Sequence, residues 1–233
     1  MLRFNFIRTI IAVLILMGCL GRISYGEEKE FKPDRYEKDI LAFEEKDRID
    51  PPPQNAILFV GSSSIRLWDL KKYFPHLKTI NRGFGGSHLS DSLFYADRIV
   101  LPYKPKIVVL YAGDNDLNDG KTPNQVFVDY CNFVRKVLEA LPQTKIIYIP
   151  VKPSIKRWAL KDKIFQLNNL VIGFNRQDER LFYADIYTPM LGKDGNPRPE
   201  LFVEDNLHIN DEGYKLWTSI LQPYLVSAKE TKK

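Results

Sequence analysis

Three uninterrupted apolar runs constrain this chain more than anything else in it: residues 56–60 (Ala-Ile-Leu-Phe-Val), 107–112 (Ile-Val-Val-Leu-Tyr-Ala) and 146–149 (Ile-Ile-Tyr-Ile). A strand with one face in water alternates apolar and polar side chains, so a continuous run belongs to a strand covered on both faces. Weaker runs at 77–80 and 181–186 supply two more strands. Between the runs, apolar residues recur with the helical period. The clearest case opens at Thr122, with Pro123 at the first helical position and Gln125 placed to close a capping box. Its stripe is Val126, Tyr130, Phe133, Val134, Val137, Leu138 and Leu141. A last helix begins near Asn210, with Asp211 and Glu212 at its positive end and Tyr214, Trp217, Ile220 and Leu221 facing inward. Strands alternating with helices predict an α/β fold, a mostly parallel sheet with helices on both faces.

A chain of 233 residues accommodates one such domain with a full core. Residues 27–55 read as an N-terminal helix and Pro-rich linker, because Tyr36, Ile40, Leu41 and Phe43 punctuate a charged stretch that ends before Pro51-Pro52-Pro53. The domain proper is expected over 56–228. Residues 1–26 read as an export signal, with Arg3 and Arg8 ahead of an apolar run at 10–17. That run is shorter than the about 20 residues a spanning helix takes. Three outcomes stay open: Leu16-Met17-Gly18-Cys19 resembles a bacterial lipobox, Ser24-Tyr25-Gly26 offers an ordinary cleavage site, and the leader stays on as an uncleaved anchor. The expected location is periplasmic or extracellular, with membrane contact only through the leader or a lipid on Cys19.

Several function classes drop out. Beyond the leader the chain carries 31 basic against 29 acidic side chains and no basic stripe interleaved with aromatics, which disfavours a nucleic-acid partner. Past Cys19 only Cys131 remains, set among Phe127, Val134 and Leu138 at helical spacing, so it reads as a small buried hydrophobe rather than a nucleophile. No His, Asp or Glu group has metal-ligand spacing, so no metal is expected.

Four short blocks carry the chemistry, in order: Gly61-Ser62-Ser63-Ser64, Gly83-Phe84-Gly85-Gly86-Ser87, Gly113-Asp114-Asn115-Asp116 and Asp205-Asn206-Leu207-His208. They supply a hydroxyl nucleophile, a glycine N–H, an amide to hold an oxyanion and an acid–base pair. The first three each follow a predicted strand, and parallel sheets bind ligands outside the carboxyl ends of their strands. In the flavodoxin-like order 2-1-3-4-5, these three loops belong to neighbouring strands about 4.8 Å apart and converge on one point. Chemistry alone leaves the three serines equivalent. Among the histidines, His76 sits in a polar loop after Pro75, and His88 follows the glycine block as a candidate substrate-binding residue lining the pocket. His208 has Asp205 three residues earlier, within reach of its Nδ1–H. Asp114 and Asp116 are expected to shape their own turn through side-chain-to-backbone bonds.

From residue 56 to 225 these blocks resemble the SGNH, or GDSL-type, hydrolases, and Asn81-Arg82-Gly83-Phe84-Gly85-Gly86 is similar to their acetylhydrolase-like branch. The resemblance implies a three-layer α/β/α sandwich and cofactor-free hydrolysis of carboxylic esters. It places the nucleophile at Ser63 and the oxyanion donors at the N–H of Ser63, the N–H of Gly86 and the side chain of Asn115. The base is then His208, oriented by Asp205. One departure stands out: the family usually reads Gly-Asp-Ser in the first block, and here Ser62 holds the Asp position. The expected substrate is a small-molecule or glycan ester with a short acyl group, acetyl above all. The stretch 187–204, with Lys193, Asp194, Asn196 and Arg198, is the candidate contact for a polar alcohol portion. The alternatives are a lysophospholipase or other lipid esterase, a non-catalytic glycan- or lipid-binding module on the same fold, and a phosphate or flavin binder using the Gly-Ser loop.

Overall fold

The apolar runs become the centre of one sheet. In a computed structural model, which describes residues 34–226, the strands are β1 (Ile57–Gly61), β2 (Thr79–Gly83), β3 (Ile107–Tyr111), β4 (Lys145–Tyr148) and β5 (Leu181–Tyr183). All pair in parallel, in the order β2-β1-β3-β4-β5. The helices are α1 (Glu37–Ile49), α2 (Ser63–Arg66), α3 (Leu70–Tyr73), α4 (Leu89–Phe94), α5 (Ala96–Ile99), α6 (Asp114–Asn118), α7 (Pro123–Ala140), α8 (Lys161–Asn175) and α9 (Asp211–Val226). The leader, Cys19 and residues 227–228 lie outside the described residues.

Side chains of the buried strands alternate between two cores. Leu58, Val60, Val108, Leu110, Ile146 and Tyr148 pack with Ile40 of α1, Leu89 of α4, Val126 and Phe133 of α7, and Ile164 of α8. Ile57, Phe59, Ile107, Val109, Tyr111 and Ile147 pack with Ile65 of α2, Leu70 of α3, and Trp217 and Leu221 of α9. The result is a three-layer α/β/α sandwich. The expected capping box starts α7: the Thr122 N–H donates to Gln125 at 2.7 Å and the Gln125 N–H donates to the Thr122 hydroxyl at 3.3 Å.

Strand β2 differs from its sequence reading, continuing through Asn81 and Arg82 to Gly83 instead of ending at residue 80. Both polar side chains are satisfied inside the fold, which removes the penalty for placing them there. Asn81 donates to the carbonyls of Ile65 and Trp68 at 2.7 and 3.2 Å. The buried Arg82 donates to the Tyr103 hydroxyl at 2.9 Å and pairs with Asp47 of α1. Arg98 further ties α1 to the domain through Glu37 at 2.8 Å and Glu44 at 2.6 Å.

Two glycines let the site loops pack on the sheet. Gly61 has φ +134°, and a Cβ there would sit 1.9 Å from the Tyr111 carbonyl oxygen. At Gly83 a Cβ would lie 2.2 Å from the backbone nitrogen of Arg66 in α2. Gly61→Ala should therefore fail to give folded protein. Gly173, in α8 with open space around its absent Cβ, should behave oppositely, Gly173→Ala adding about 0.5–1 kcal/mol. Urea denaturation read by circular dichroism checks both.

Candidate active site

The sheet register sets the three loops level. Gly61 at the end of β1 pairs with Gly83 of β2 and Tyr111 of β3, so the chain leaves all three strands at one height. The first loop turns at once into α2, whose first residue is Ser63. Ser62 is buried, its N–H donating to the Tyr111 carbonyl at 3.0 Å while its own carbonyl accepts from Ile65 and Arg66. The residue in the usual Asp position thus anchors the turn by backbone bonds. Ser64 points into the protein at 1% exposure, which leaves Ser63 as the serine of the three that reaches the cavity.

His208 meets Ser63 from the opposite side. Its Nε2 lies 3.0 Å from Ser63 Oγ, and its Nδ1 lies 2.5 Å from Asp205 Oδ2. With Nδ1–H donating to the carboxylate, Nε2 is the acceptor for the serine hydroxyl. The other Asp205 oxygen accepts from the backbone N–H groups of Leu207 and His208, both at 2.8 Å. Partial desolvation works to raise the Asp205 pKa, but the hydrogen bonds from the His208 ring and from the two N–H groups prevail and hold it at about 2. The turn closes with Asn206 at φ 57° and the Val203 N–H donating to the His208 carbonyl at 2.9 Å. Buried Leu201, Phe202 and Ile209 seat it against α9.

The second and third loops hold each other. Asn115, in the first turn of α6, donates from Nδ2 to the Ser87 carbonyl at 3.0 Å. The buried Asp116 accepts from the Leu89 N–H at 3.1 Å and from Lys121 Nζ at 3.0 Å. Its expected role inside its own turn gives way to a bond between loops. Asp114 differs too: it is an ion-pair partner, 2.9 Å from Lys152 Nζ and 2.7 Å from Arg157 Nη1. Gly86 has φ +79°, whereas Gly83 and Gly85 have ordinary backbone angles and serve by making room, Gly85 for the Arg66 guanidinium. No described carbonyl takes the N–H of Ser63 or of Gly86.

These groups border one cavity of about 430 Å³ lined by Ser63, Gly86, Asn115 and His208, with Asp39, Arg66, Lys152 and Arg157 among its walls. His88 is not on that lining. Its side chain is buried, with Nε2 3.0 Å from Asp119 Oδ2, because the chain turns inward as it enters α4. Lys193, Asp194, Asn196 and Arg198 also lie off the cavity; Asp194 bonds Asn196, and Arg198 bonds Glu200 and the Pro189 carbonyl. His76 is exposed elsewhere, and partial burial pushes the Cys131 thiol up, away from thiolate chemistry. Among the described residues no cluster of His, Cys, Asp or Glu is arranged to hold a metal. The sequence reading missed Asp39, Arg66, Lys152 and Arg157. For the last two a signal existed, since they follow β4 at the carboxyl edge of the sheet where ligands bind.

Sheet order, level loops and a Ser–His–Asp contact place the chain among doubly wound α/β proteins with a loop-borne site at the carboxyl edge of the sheet. Residues 67–216 match the model of the GDSL-like Lipase/Acylhydrolase family, a span that holds Gly86, Asn115, Asp205 and His208 and begins just after Ser63. The chain belongs to that family, the SGNH hydrolases. Its structure is similar to a protein of Streptococcus pneumonia (TM-score 0.73, 21% identity, covering 81% of this chain and 92% of that one). It is also similar to a GDSL-like lipase from Bacteroides thetaiotaomicron (0.70, 19%, 82% and 98%). A third similar structure is a mutant acetyl-xylooligosaccharide esterase from Geobacillus Stearmophilus (0.59, 14%, 75% and 95%). At these identities the likeness concerns the fold. No curated protein matches the chain.

The Asp205 geometry has a pH consequence that does not depend on substrate. A folded pKa below the ordinary carboxylate value means that ionised Asp205 stabilises the fold above that ordinary value, and that this contribution is lost as pH falls toward about 2. In His208→Ala the ring bond goes and the two N–H bonds stay. The Asp205 carboxyl resonance should then titrate higher than in the wild type but still below about 3.9, the unperturbed value. Full return to that value in an NMR titration would contradict the role given to the backbone bonds.

Proposed function

We propose that this chain hydrolyses carboxylic esters through an acyl-Ser63 intermediate. The observation that carries the reading is the continuous Ser63–His208–Asp205 contact, at 3.0 and 2.5 Å, opening on a cavity that Gly86 and Asn115 also line. Ser63 Oγ attacks the ester carbonyl as His208 Nε2 takes its proton. The tetrahedral oxyanion is held by the N–H groups of Ser63 and Gly86 and by Asn115 Nδ2. As the C–O bond to the alcohol breaks, His208 gives its proton to the leaving oxygen. Water then repeats the sequence on the acyl-enzyme, and Asp205 balances the imidazolium throughout.

The acyl group is short and the alcohol polar. A cavity walled by Asp39, Arg66, Lys152 and Arg157 offers little apolar surface to a long chain. Structurally similar proteins include an acetyl esterase and the acetyl-xylooligosaccharide esterase, which fits an acetylated glycan. One observation favours a lipid ester instead: a groove of about 490 Å³ on the other side of His208 is bordered by Leu67, Tyr73, Val203 and Ile209. Leu67 and Val203 are 49% and 42% exposed there. Action outside the cytoplasm completes the proposal, resting on the export-like residues 1–26.

A p-nitrophenyl ester series from acetate to palmitate separates these readings, with kcat/KM expected to peak at acetate; a profile still rising past octanoate favours the lipid ester. Ser63→Ala should abolish turnover and keep the fold, while Ser62→Ala and Ser64→Ala retain activity. Asn115→Ala should lower kcat about 10²-fold with a smaller change in KM. Secreted wild-type protein beginning at Glu27 decides for ordinary signal cleavage. Release of Cys19→Ser from the membrane fraction decides for lipidation.

A further inference from the structure

We propose that Arg157 is a positioning residue for the oxyanion hole, fixing the Asn115 amide in the one orientation that offers an N–H to the developing charge. The inference rests on the ester-hydrolase reading above. An amide side chain has nearly the same shape either way round, with opposite polarity at its two ends. Turned over, Asn115 would present Oδ1, an acceptor, to an oxyanion and repel it. Orientation is therefore as necessary as presence.

Two contacts decide the orientation. Arg157 Nη2 donates to Asn115 Oδ1 at 3.1 Å, and Asn115 Nδ2 donates to the Ser87 carbonyl at 3.0 Å. Reversal would set N–H against guanidinium and oxygen against carbonyl, so both hydrogen bonds would become like-polarity contacts. In the observed orientation no described residue takes the second Nδ2 hydrogen, and the side chain lines the Ser63 cavity. Without Arg157, the Ser87 bond is the one contact among the described residues that opposes reversal.

Arg157 is itself held. It lies in the 3₁₀ turn Ile155–Leu160, its side chain 12% exposed, with Nη1 2.7 Å from Asp114 Oδ1. Asp114 Oδ2 is 2.9 Å from Lys152 Nζ, which also donates to the Tyr111 hydroxyl at 2.9 Å. Burial works to raise the Asp114 pKa, but Lys152 and Arg157 more than offset it, and the carboxyl is held below its ordinary value. Two cations share one carboxylate, which leaves positive charge in excess behind the amide. With these side chains 2–12% exposed, that charge is screened less from an oxyanion than it would be in open solvent. Lysine at 157 would keep the charge but lose the planar fork that reaches Asp114 and Asn115 together.

The test uses the full chain with p-nitrophenyl acetate and a small alkylboronic acid, which adds to the serine hydroxyl as a tetrahedral anion. Arg157→Gln should lower kcat about tenfold or more while KM moves less than about threefold. Boronate affinity should fall in step with kcat/KM. In an Asn115→Ala background the same substitution should cost less than about threefold further, because its target is gone. Arg157→Lys, folded and with charge retained, should still lose most of the effect if orientation matters. Arg157→Gln with kcat within threefold of wild type, or with equal losses in both backgrounds, overturns the proposal. If Arg157→Gln does not fold, Arg157→Lys with wild-type kcat and boronate affinity overturns it. A wild-type chain that turns over no ester sinks the functional reading, whereas an active wild type with an indifferent Arg157 sinks only this inference.

Discussion

The site depends on how closely the ends of β1 and β3 approach. Residue 61 must have no side chain, since a Cβ would fall 1.9 Å from the Tyr111 carbonyl oxygen. That same oxygen accepts the Ser62 N–H at 3.0 Å, so the contact that excludes a side chain also bonds the chain as it leaves the strand. The backbone then turns directly into α2, with Ser63 in its first turn, where N–H groups have no intrahelical partner. On the far side Gly83 admits the α2 backbone, and the register places Gly83 and Tyr111 opposite Gly61. Packing of bare backbone, more than any side-chain contact, fixes where the hydroxyl stands relative to the neighbouring loops.

Behind Asn115 the fold accepts an arrangement that does little for stability. Asp114, Lys152 and Arg157 have side-chain exposures of 5%, 2% and 12%. Desolvating such charges costs several kcal/mol per ion, which mutual attraction offsets only with good geometry. What the ionic trio adds is direction: each contact is a polar atom facing one partner, and the last partner is the Asn115 amide. This favours reading the cluster as a positioning device over reading it as a stabilising one.

Most of the fold was legible because the strands are buried on both faces. Continuous apolar runs located β1, β3 and β4, and the capping residues Thr122, Pro123 and Gln125 located α7. The sequence reading ends strand β2 too early because Asn81 and Arg82 look like loop residues until their partners Ile65, Trp68, Tyr103 and Asp47 are known, and those lie far away in sequence. The site divides the same way. Asp205 and His208 are three residues apart, and their contact is a local one that spacing can express. Asp116 reaching Leu89, Asp114 reaching Lys152, and His88 turning to Asp119 are products of topology. Nothing near His88 in the chain says that it will be buried against α6 and its following turn rather than exposed to the cavity.

The two halves of the site differ in how they are held, and one short segment joins them. Asn115 sits among buried groups, while His208 and Asp205 lie on a turn whose side chains are 29% and 40% exposed. Such a turn, fastened by its own bonds alone, would be free to drift relative to the sheet. It is not fastened alone: the Lys156 N–H donates to the Asn206 carbonyl at 3.0 Å. The next residue is Arg157, whose guanidinium holds Asn115. The segment after β4 thus touches the His208 turn with its backbone and the Asn115 amide with its side chain. In the proposed mechanism proton transfer and oxyanion binding must occur in one transition state, with positioning errors below about 1 Å. A shared support for both groups meets that demand more directly than two independent loops would.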